Sequence, residues 1–287
     1  MLSFTALNAC AESKGQEADA TDPASDDIDE TLLSTGLWQV PGNLKIQSDA
    51  LTTESAMRRL FGSYNPAEKA SFWAVDREAE LAEIYAAEEF PFELRTEMIK
   101  ADLSRANSVV FVFATKPEKI FFDCRICAPD ISVAVFHKEA GPAWRLDLYQ
   151  RIDPMGHYGT PPETDFIDIG PNHRAISFAS GDLHMGFNTS WSGWFARVGD
   201  TYKLVFSATT YFDNEGTCEV PETGNAPCVE YSTEIEIVET DAEYYEVHTT
   251  TSGRDITPEN EVLDAASEKL WRFNGEEYAV VEERKPD

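Results

Sequence analysis

From residue 107 onward the chain consists largely of short runs rich in Val, Ile, Phe, Tyr and Thr, and these runs alternate with turn residues. Runs of this length and composition are typical of β-strands. The sequence therefore predicts a mostly antiparallel β domain. The predicted strands span residues 109–115, 131–138, 144–151, 166–169, 175–179, 194–198, 202–209, 231–238, 245–251, 270–273 and 278–281.

Local patterns support this prediction at several points. In the run from Thr233 to Ile237, apolar or β-branched side chains alternate with Glu234 and Glu236, which indicates a half-buried strand with one acidic face. The pairs Gly199-Asp200 and Asn274-Gly275 stand between such runs and are hairpin signals.

Helices are predicted mainly near the start of the folded region. Thr52 can cap a helix that runs to Phe61, and Gly62 can end it. The residues Leu94, Met98, Ile99, Ala101 and Leu103 suggest a second helix. A short helix after Pro258, capped by Thr257, is also expected. The predicted fold class is mainly β, an antiparallel sandwich or barrel-like sheet domain with one or two N-terminal helices.

The first residues resemble the end of a bacterial lipoprotein signal, because Leu7-Asn8-Ala9-Cys10 is similar to a lipobox with Cys10 as the acylated residue. The segment 1–10 is short for such a signal, which needs about seven to fifteen apolar residues after a cationic start. Either it is truncated or the likeness is accidental. Residues 11–31 contain eight acids and one lysine and are predicted to be a disordered linker. Residues 32–287 are predicted to form a single β-rich domain.

The net charge of −29 restricts the partners of this chain. An excess of this size repels nucleic-acid phosphates and anionic lipid headgroups. We therefore expect no nucleic-acid partner, and membrane attachment by the lipid on Cys10 only. An acidic surface that keeps the protein soluble and a dedicated cation-binding role both remain open.

Four further cysteines, Cys124, Cys127, Cys218 and Cys228, form an even set, which predicts disulfides in an exported protein. The pairing is open: it is either local within each pair or crossed between the two pairs. A zinc site and a redox dithiol at Cys124 and Cys127 are the alternative interpretations.

Several short motifs together resemble an uncharacterised family of exported bacterial proteins. They are residues 61–66 (FGSYNP), 124–129 (CRICAP), 133–136 (VAVF), 144–146 (WRL) and 271–278 (WRFNGEEY). The resemblance implies export and one fold over most of residues 60–281, and it implies no activity. Where such sequences have His between the two cysteines, this chain has Arg125 and Ile126, which disfavours a metal at that loop.

Two segments are candidate binding sites. Asp182 and His184, followed by Trp191 and Trp194, are predicted to form an aromatic ledge for a sugar ring or peptide. The alternative is that the two tryptophans belong to the core. Asp213, Asn214 and Glu215 offer oxygen ligands for calcium, with solvated turn residues as the alternative. No cofactor other than calcium is expected.

Standard catalytic signatures are absent from the sequence. The leading hypothesis is an envelope lipoprotein, periplasmic or on the outer membrane, whose acidic β domain binds an unknown protein or glycan. A hydrolase that uses two carboxylates, similar to a glycoside hydrolase, is the alternative, and a purely structural envelope component is a third hypothesis.

Overall fold

The computed structural model describes residues 44–75, 92–118, 128–218, 227–257 and 261–285. The predicted signal segment, the predicted linker and the first residues of the predicted domain lie outside these ranges. Cys10, Cys124 and Cys127 also lie outside them, so the predictions for these three cysteines stay predictions.

The described strands form two antiparallel sheets, and the first sheet takes the N-terminal part of the chain. Its seven strands have the spatial order β1 (Lys45–Gln47), β7 (Ala143–Pro154), β6 (Asp130–Lys138), β5 (Ser108–Pro117), β4 (Phe92–Arg105), β3 (Ala70–Val75) and β2 (Tyr64–Asn65). From β2 to β7 the order follows the chain, so each strand pairs with its predecessor. Only β1 returns to pair with β7 at the opposite edge.

The second sheet has nine strands. Its spatial order is β16 (Tyr278–Arg284), β15 (Ser267–Phe273), β13 (Glu246–Ile256), β12 (Glu230–Val238), β11 (Thr201–Asp213), β10 (Phe187–Val198), β9 (His173–His184) and β8 (Glu163–Gly170), and β14 (Val262–Asp264) pairs with β13. All pairings are antiparallel, which confirms the predicted sheet type.

One helix, α1 (Thr53–Phe61), occurs in the described part of the chain and covers one face of the first sheet. Thr52 caps it as predicted: its hydroxyl accepts a hydrogen bond from the backbone N–H of Ser55, and the Ser55 hydroxyl accepts one from the backbone of Thr52. Met57 and Phe61 pack against Phe113 and its neighbours on β5 and β6. The amphipathic face of α1 therefore builds the first core cluster.

The other face of the first sheet packs against the second sheet. Along β5, Phe111 and Phe113 point to the helix side, whereas Val112 and Ala114 point to a second cluster. That cluster also includes Phe178 and other residues of the second sheet. Since side chains alternate between the two faces of a strand, burial of both faces explains why β5 and β6 are almost continuously apolar.

The second sheet curls over a third core cluster. Strand β11 pairs with β12 only through Tyr211, Phe212 and Asp213, so the two halves of the sheet diverge from that point. The space between them holds Trp194 and Phe206 from one half and Val247, Trp271 and Tyr278 from the other. This curl lets one sheet enclose its own core.

The two halves meet again at a seam between β8 and the second half. The carbonyl oxygen of Ile169 accepts hydrogen bonds from the backbone N–H of Tyr245 at 2.8 Å and from the Tyr278 hydroxyl at 3.3 Å. A Cβ atom on Gly170 would lie 2.2 Å from the carbonyl oxygen of Glu243. The seam therefore requires glycine at position 170.

Polar side chains connect the two sheets at their edges. Arg174 on β9 pairs with Asp102 on β4, and Arg197 on β10 pairs with Asp147 on β7, both at 2.7 Å. The amide of Gln150 on β7 makes hydrogen bonds to the backbone N–H and C=O of Tyr202. These contacts fix the position of one sheet on the other.

Ten of the eleven predicted strands lie within observed strands, and the remaining one, 245–251, begins one residue before β13. Both predicted hairpins are present, with turns at Gly199-Asp200 and at 274–277. The second helix suggested by Leu94, Met98 and Ala101 is wrong: these residues belong to β4, whose irregular register at Ile99 changes the side that faces the core. Residues 258–260 are not described, and residues 262–264 form β14.

Candidate functional site

The turn between β9 and β10 has an unusual backbone. It consists of Met185 and Gly186, and both have positive φ, 49° and 83°. Two-residue hairpin turns with this geometry favour Asn-Gly, because glycine and asparagine tolerate the left-handed region at little cost. A methionine there is strained by about 1 kcal/mol or more.

Apolar side chains are exposed around this turn. Leu183 is 71% exposed, Met185 76% and Phe187 42%. We call these three residues the apolar tip. Leu183 pairs with Asn188 and Phe187 pairs with His184, so the two side chains lie on opposite faces of the hairpin, on either side of Met185. Exposed apolar side chains at a hairpin end offer contacts to another molecule that encloses it.

The apolar tip is held in place by a second loop. The backbone N–H of Gly216 donates to the carbonyl oxygen of Gly186 at 3.0 Å. A Cβ atom on Gly186 would lie 2.5 Å from the backbone of Gly216, so both positions need glycine for this close approach. Gly216 belongs to the β11–β12 connection, which we call the disulfide loop because a disulfide joins Cys218 and Cys228 within it.

Asn214 organises the disulfide loop. Its side chain is buried, with Nδ2 donating to the carbonyl oxygen of Pro227 and Oδ1 accepting from the backbone N–H of Val229, both at 2.8 Å. Its own carbonyl oxygen accepts from the backbone N–H groups of Thr217 and Cys218. Asn214 thus provides hydrogen-bond partners for backbone groups at the start and at the end of the disulfide loop.

Asp213 connects the disulfide loop to the hairpin. Its carboxylate accepts from the backbone N–H of Glu215 and from the side-chain amide of Asn188 on β10, both at 3.1 Å. The hydrogen bond from Glu215, followed by those from Tyr211 and Asn188, lowers the pKa of Asp213. The Tyr211 hydroxyl forms hydrogen bonds with the carboxylates of Asp213 and Glu230, and these bonds raise the pKa of the hydroxyl.

These contacts bear on the predicted calcium site. The side-chain oxygens of Asp213 and Asn214 already accept hydrogen bonds from the protein, whereas Glu215 is exposed. Within the described ranges, no group of three or more His, Cys, Asp or Glu side chains is placed to hold a metal ion. The geometry favours a structural role for Asp213 and Asn214, and calcium binding stays a prediction.

The residues of the predicted aromatic ledge are divided by the fold. Asp182 and His184 are exposed at the end of β9, beside the apolar tip. Trp194 is 3% exposed and packs in the third cluster against Phe206, whereas Trp191 packs against the second cluster. The structure therefore does not bring the two indole rings together, and Trp194 is a core residue.

The fold does unite two segments that the sequence presented separately. The segment with Asp182 and His184 and the loop with Asp213 to Glu215 lie at the same end of the second sheet, where Gly186 contacts Gly216. Of the pairings open for the cysteines, the local one, Cys218 with Cys228, is present.

The hydrolase alternative requires one carboxyl group with a raised pKa. Among the described residues, the carboxyl groups with a shifted pKa are Asp102, Asp147, Asp165 and Asp213, and all four shifts are downward. These four groups are therefore not suited to act as a general acid. The described part of the chain contains no helix that is long and apolar enough to cross a membrane.

Comparisons with protein-family models, with curated proteins and with solved structures find no match to this chain.

From the sequence, the polar residues Asp182 and His184 were identified as candidates, and the apolar residues of the apolar tip were not. The available signal was the alternation of Leu183, Met185 and Phe187 across a hairpin turn. In a strand this alternation normally marks a buried face, and nothing local reveals that these residues are exposed.

Proposed function

We propose that this protein is a membrane-tethered extracytoplasmic lipoprotein whose acidic β domain binds a protein partner through the apolar tip. The observation that carries the proposal is the exposure of Leu183, Met185 and Phe187 at a turn whose Gly186 is in backbone contact with Gly216 of the disulfide loop. A rigid binding element loses little conformational entropy on association.

The strain at Met185 supports a binding role. A folding requirement would place Asn or Gly at this position, and an exposed methionine contributes little to stability. Residues held in such regions of φ and ψ concentrate at binding and catalytic sites. A flexible methionine also adapts to the shape of an apolar pocket.

The charges beside the apolar tip define the partner. Asp182 and Glu215 are exposed next to it, in a chain with a net charge of −29. A complementary protein surface has an apolar pocket with Lys or Arg at its rim. Anionic lipid headgroups would be repelled, which favours a protein over a membrane surface as the occupant.

Site-specific photocrosslinking in the native host tests the proposal. A photoreactive residue at position 185 should give one discrete adduct, and the substitutions Leu183→Ser and Phe187→Ser should abolish it. The same residue at position 103, exposed on β4, is the control and should not give this adduct. Absence of the adduct from position 185, or its persistence in the double variant, would refute the role of the apolar tip.

Two further features support the location and the architecture in this proposal. A disulfide persists in oxidising compartments, and Leu7 to Cys10 is similar to a lipobox, so an acyl increment on Cys10 is expected in the intact mass of the native protein. The shared cluster between the sheets and the curl of the second sheet support a sandwich with one barrel-like half.

A further inference from the structure

A second candidate site lies at the opposite ends of β9 and β10, about 35 Å along these strands from the apolar tip. It is a cleft of about 310 Å³ between the edges of the two sheets. A cleft of this volume suits a small molecule. Its floor is apolar, with Val110, Val135 and Ile176 among the lining residues, and Tyr202 is also part of the lining.

The charge of this cleft is opposite to that of the whole chain. Acids outnumber Lys and Arg by 52 to 23 in the sequence. The charged residues that line the cleft are Arg105, Arg174, Arg197 and Asp102, and two histidines, His137 and His173, stand beside them. Arginines are therefore concentrated at this cleft in an otherwise acidic molecule, and a guanidinium there without a carboxylate partner would attract an anion.

Two of the three arginines are neutralised and form the walls. Arg174 lies 2.7 Å from Asp102 and 2.9 Å from Asp168, although its Nε–H does not point at Asp168 and makes no hydrogen bond. Arg197 lies 2.7 Å from Asp147. The Arg174–Asp102 and Arg197–Asp147 pairs hold the two sheets together at this edge and so set the width of the cleft, and the paired charges leave the net charge of its walls near zero.

Arg105 is different, because no described carboxylate pairs with it. Its Nη2 donates to the carbonyl oxygen of Asn172 at 2.9 Å, its charge also acts on the nearby Tyr202 hydroxyl, and it makes no ion pair with a carboxylate of the described residues. A guanidinium has five N–H donors in a planar fork, so donors remain for a ligand, and the fork matches a carboxylate or a phosphate. The backbone contact with Asn172 holds the side chain at the mouth of the cleft.

We infer that this cleft binds a small organic anion, with its carboxylate or phosphate group on Arg105 and its apolar body on the floor between the sheets. The proposal is independent of the protein-binding function, because the apolar tip is at the far end of the strands.

Calorimetric titration of the full chain tests the inference with benzoate and phenyl phosphate as probes and neutral benzamide as the uncharged analogue. At least one anion should bind in a saturable 1:1 manner, and benzamide at least about tenfold more weakly. Inorganic phosphate should also bind more weakly than phenyl phosphate, because it lacks the apolar body. The relative affinity for benzoate and phenyl phosphate then identifies the preferred acid group.

The variant Arg105→Gln should weaken binding of the anion about tenfold while leaving the midpoint of thermal unfolding nearly unchanged, since Arg105 is exposed and substitutions of exposed side chains change stability little. Arg58→Gln on α1, which removes an exposed arginine on the other side of the first sheet, is the matched control and should bind as the wild type does. Failure of both anions to bind at 10 mM (roughly the weak limit for ligands of this size), equal binding of benzamide, or wild-type affinity in Arg105→Gln would overturn the inference.

Discussion

Met185 combines two properties that folding alone does not explain: a left-handed backbone and an apolar side chain that is mostly exposed. Asn214 shows the opposite case, because every polar atom of its buried amide serves the disulfide loop. The two residues lie at the same end of the second sheet. Asn214 holds the disulfide loop in place, and Met185 is the residue that the proposed partner would contact.

Replacing Met185 with asparagine should stabilise the protein by about 0.5 to 1 kcal/mol, because asparagine adopts positive φ with less strain. Denaturant unfolding measures the difference. Met185→Ala is the matched control: alanine removes the same apolar group but keeps the strain, so its free energy of unfolding should stay near that of the wild type. Equal stability of the two variants would show that the turn is not strained at this position.

The strands show which parts of the fold could be predicted from sequence. Strands after residue 107 were found because their apolar residues alternate or run continuously between turn residues. Strand β4 was mistaken for a helix for a physical reason. Leu94, Met98 and Ala101 have helical spacing, and the irregularity at Ile99 inserts one residue, so that Met98 and Ala101 both pack against the first cluster although they are three residues apart in a strand.

The disulfide stabilises the disulfide loop that connects β11 to β12. Cys218 and Cys228 are ten residues apart, and a crosslink over a loop of this length contributes about 2 to 3 kcal/mol in the loop-entropy model. The double variant Cys218→Ser, Cys228→Ser should lose that amount in denaturant unfolding. A reductant should remove the difference between the wild type and the variant, because it opens this loop in both. An unchanged free energy of unfolding in the unreduced variant would contradict the proposed contribution.

The seam of the second sheet gives a prediction for a single glycine. In Gly170→Ala the added Cβ would meet the carbonyl oxygen of Glu243, so the seam must open at a cost of about 2 to 3 kcal/mol. Hydrogen exchange should then become faster at the backbone N–H of Tyr245, which donates across the seam.

Gly141→Ala is the control for this substitution. Gly141 has positive φ but open space around its Cα, so alanine there introduces backbone strain without a clash. Its unfolding free energy should fall by about 1 kcal/mol, with no change in exchange at Tyr245. Slow exchange at Tyr245 in Gly170→Ala would show that the seam tolerates a side chain.

For the whole molecule, the candidate sites depend on contacts that sequence cannot reveal. The cleft takes Arg105, Arg174 and Arg197 from three separate strands, and the ends of those strands meet only because the two sheets pack together. The disulfide loop and the apolar tip meet through Gly186 and Gly216, which are thirty positions apart. Local patterns predict the strands, whereas the relative placement of the sheets determines the sites.

The ion pairs between the sheets should make stability depend on pH. Partial burial acts to raise the pKa of Asp102, but hydrogen bonds from Ser104 and the charge of Arg174 outweigh it, and the pKa is lowered. Asp147 follows the same pattern, with Arg197 as the main partner. A carboxyl group whose pKa is lower in the folded state stabilises the fold above its unfolded pKa of about 3.9. This stabilisation is lost as the pH falls through the folded pKa.

We therefore expect the free energy of unfolding to fall more steeply below about pH 5 in the wild type than in the double variant Asp102→Asn, Asp147→Asn. The variant should be less stable at pH 7, where Arg174 and Arg197 have lost their charged partners, and the two curves should converge in acid. Asp200→Asn, in the exposed β10–β11 turn, is the control and should follow the wild-type curve. Parallel curves for the wild type and the double variant would mean that these ion pairs do not hold the sheets together, and the fixed width of the cleft would then need another cause.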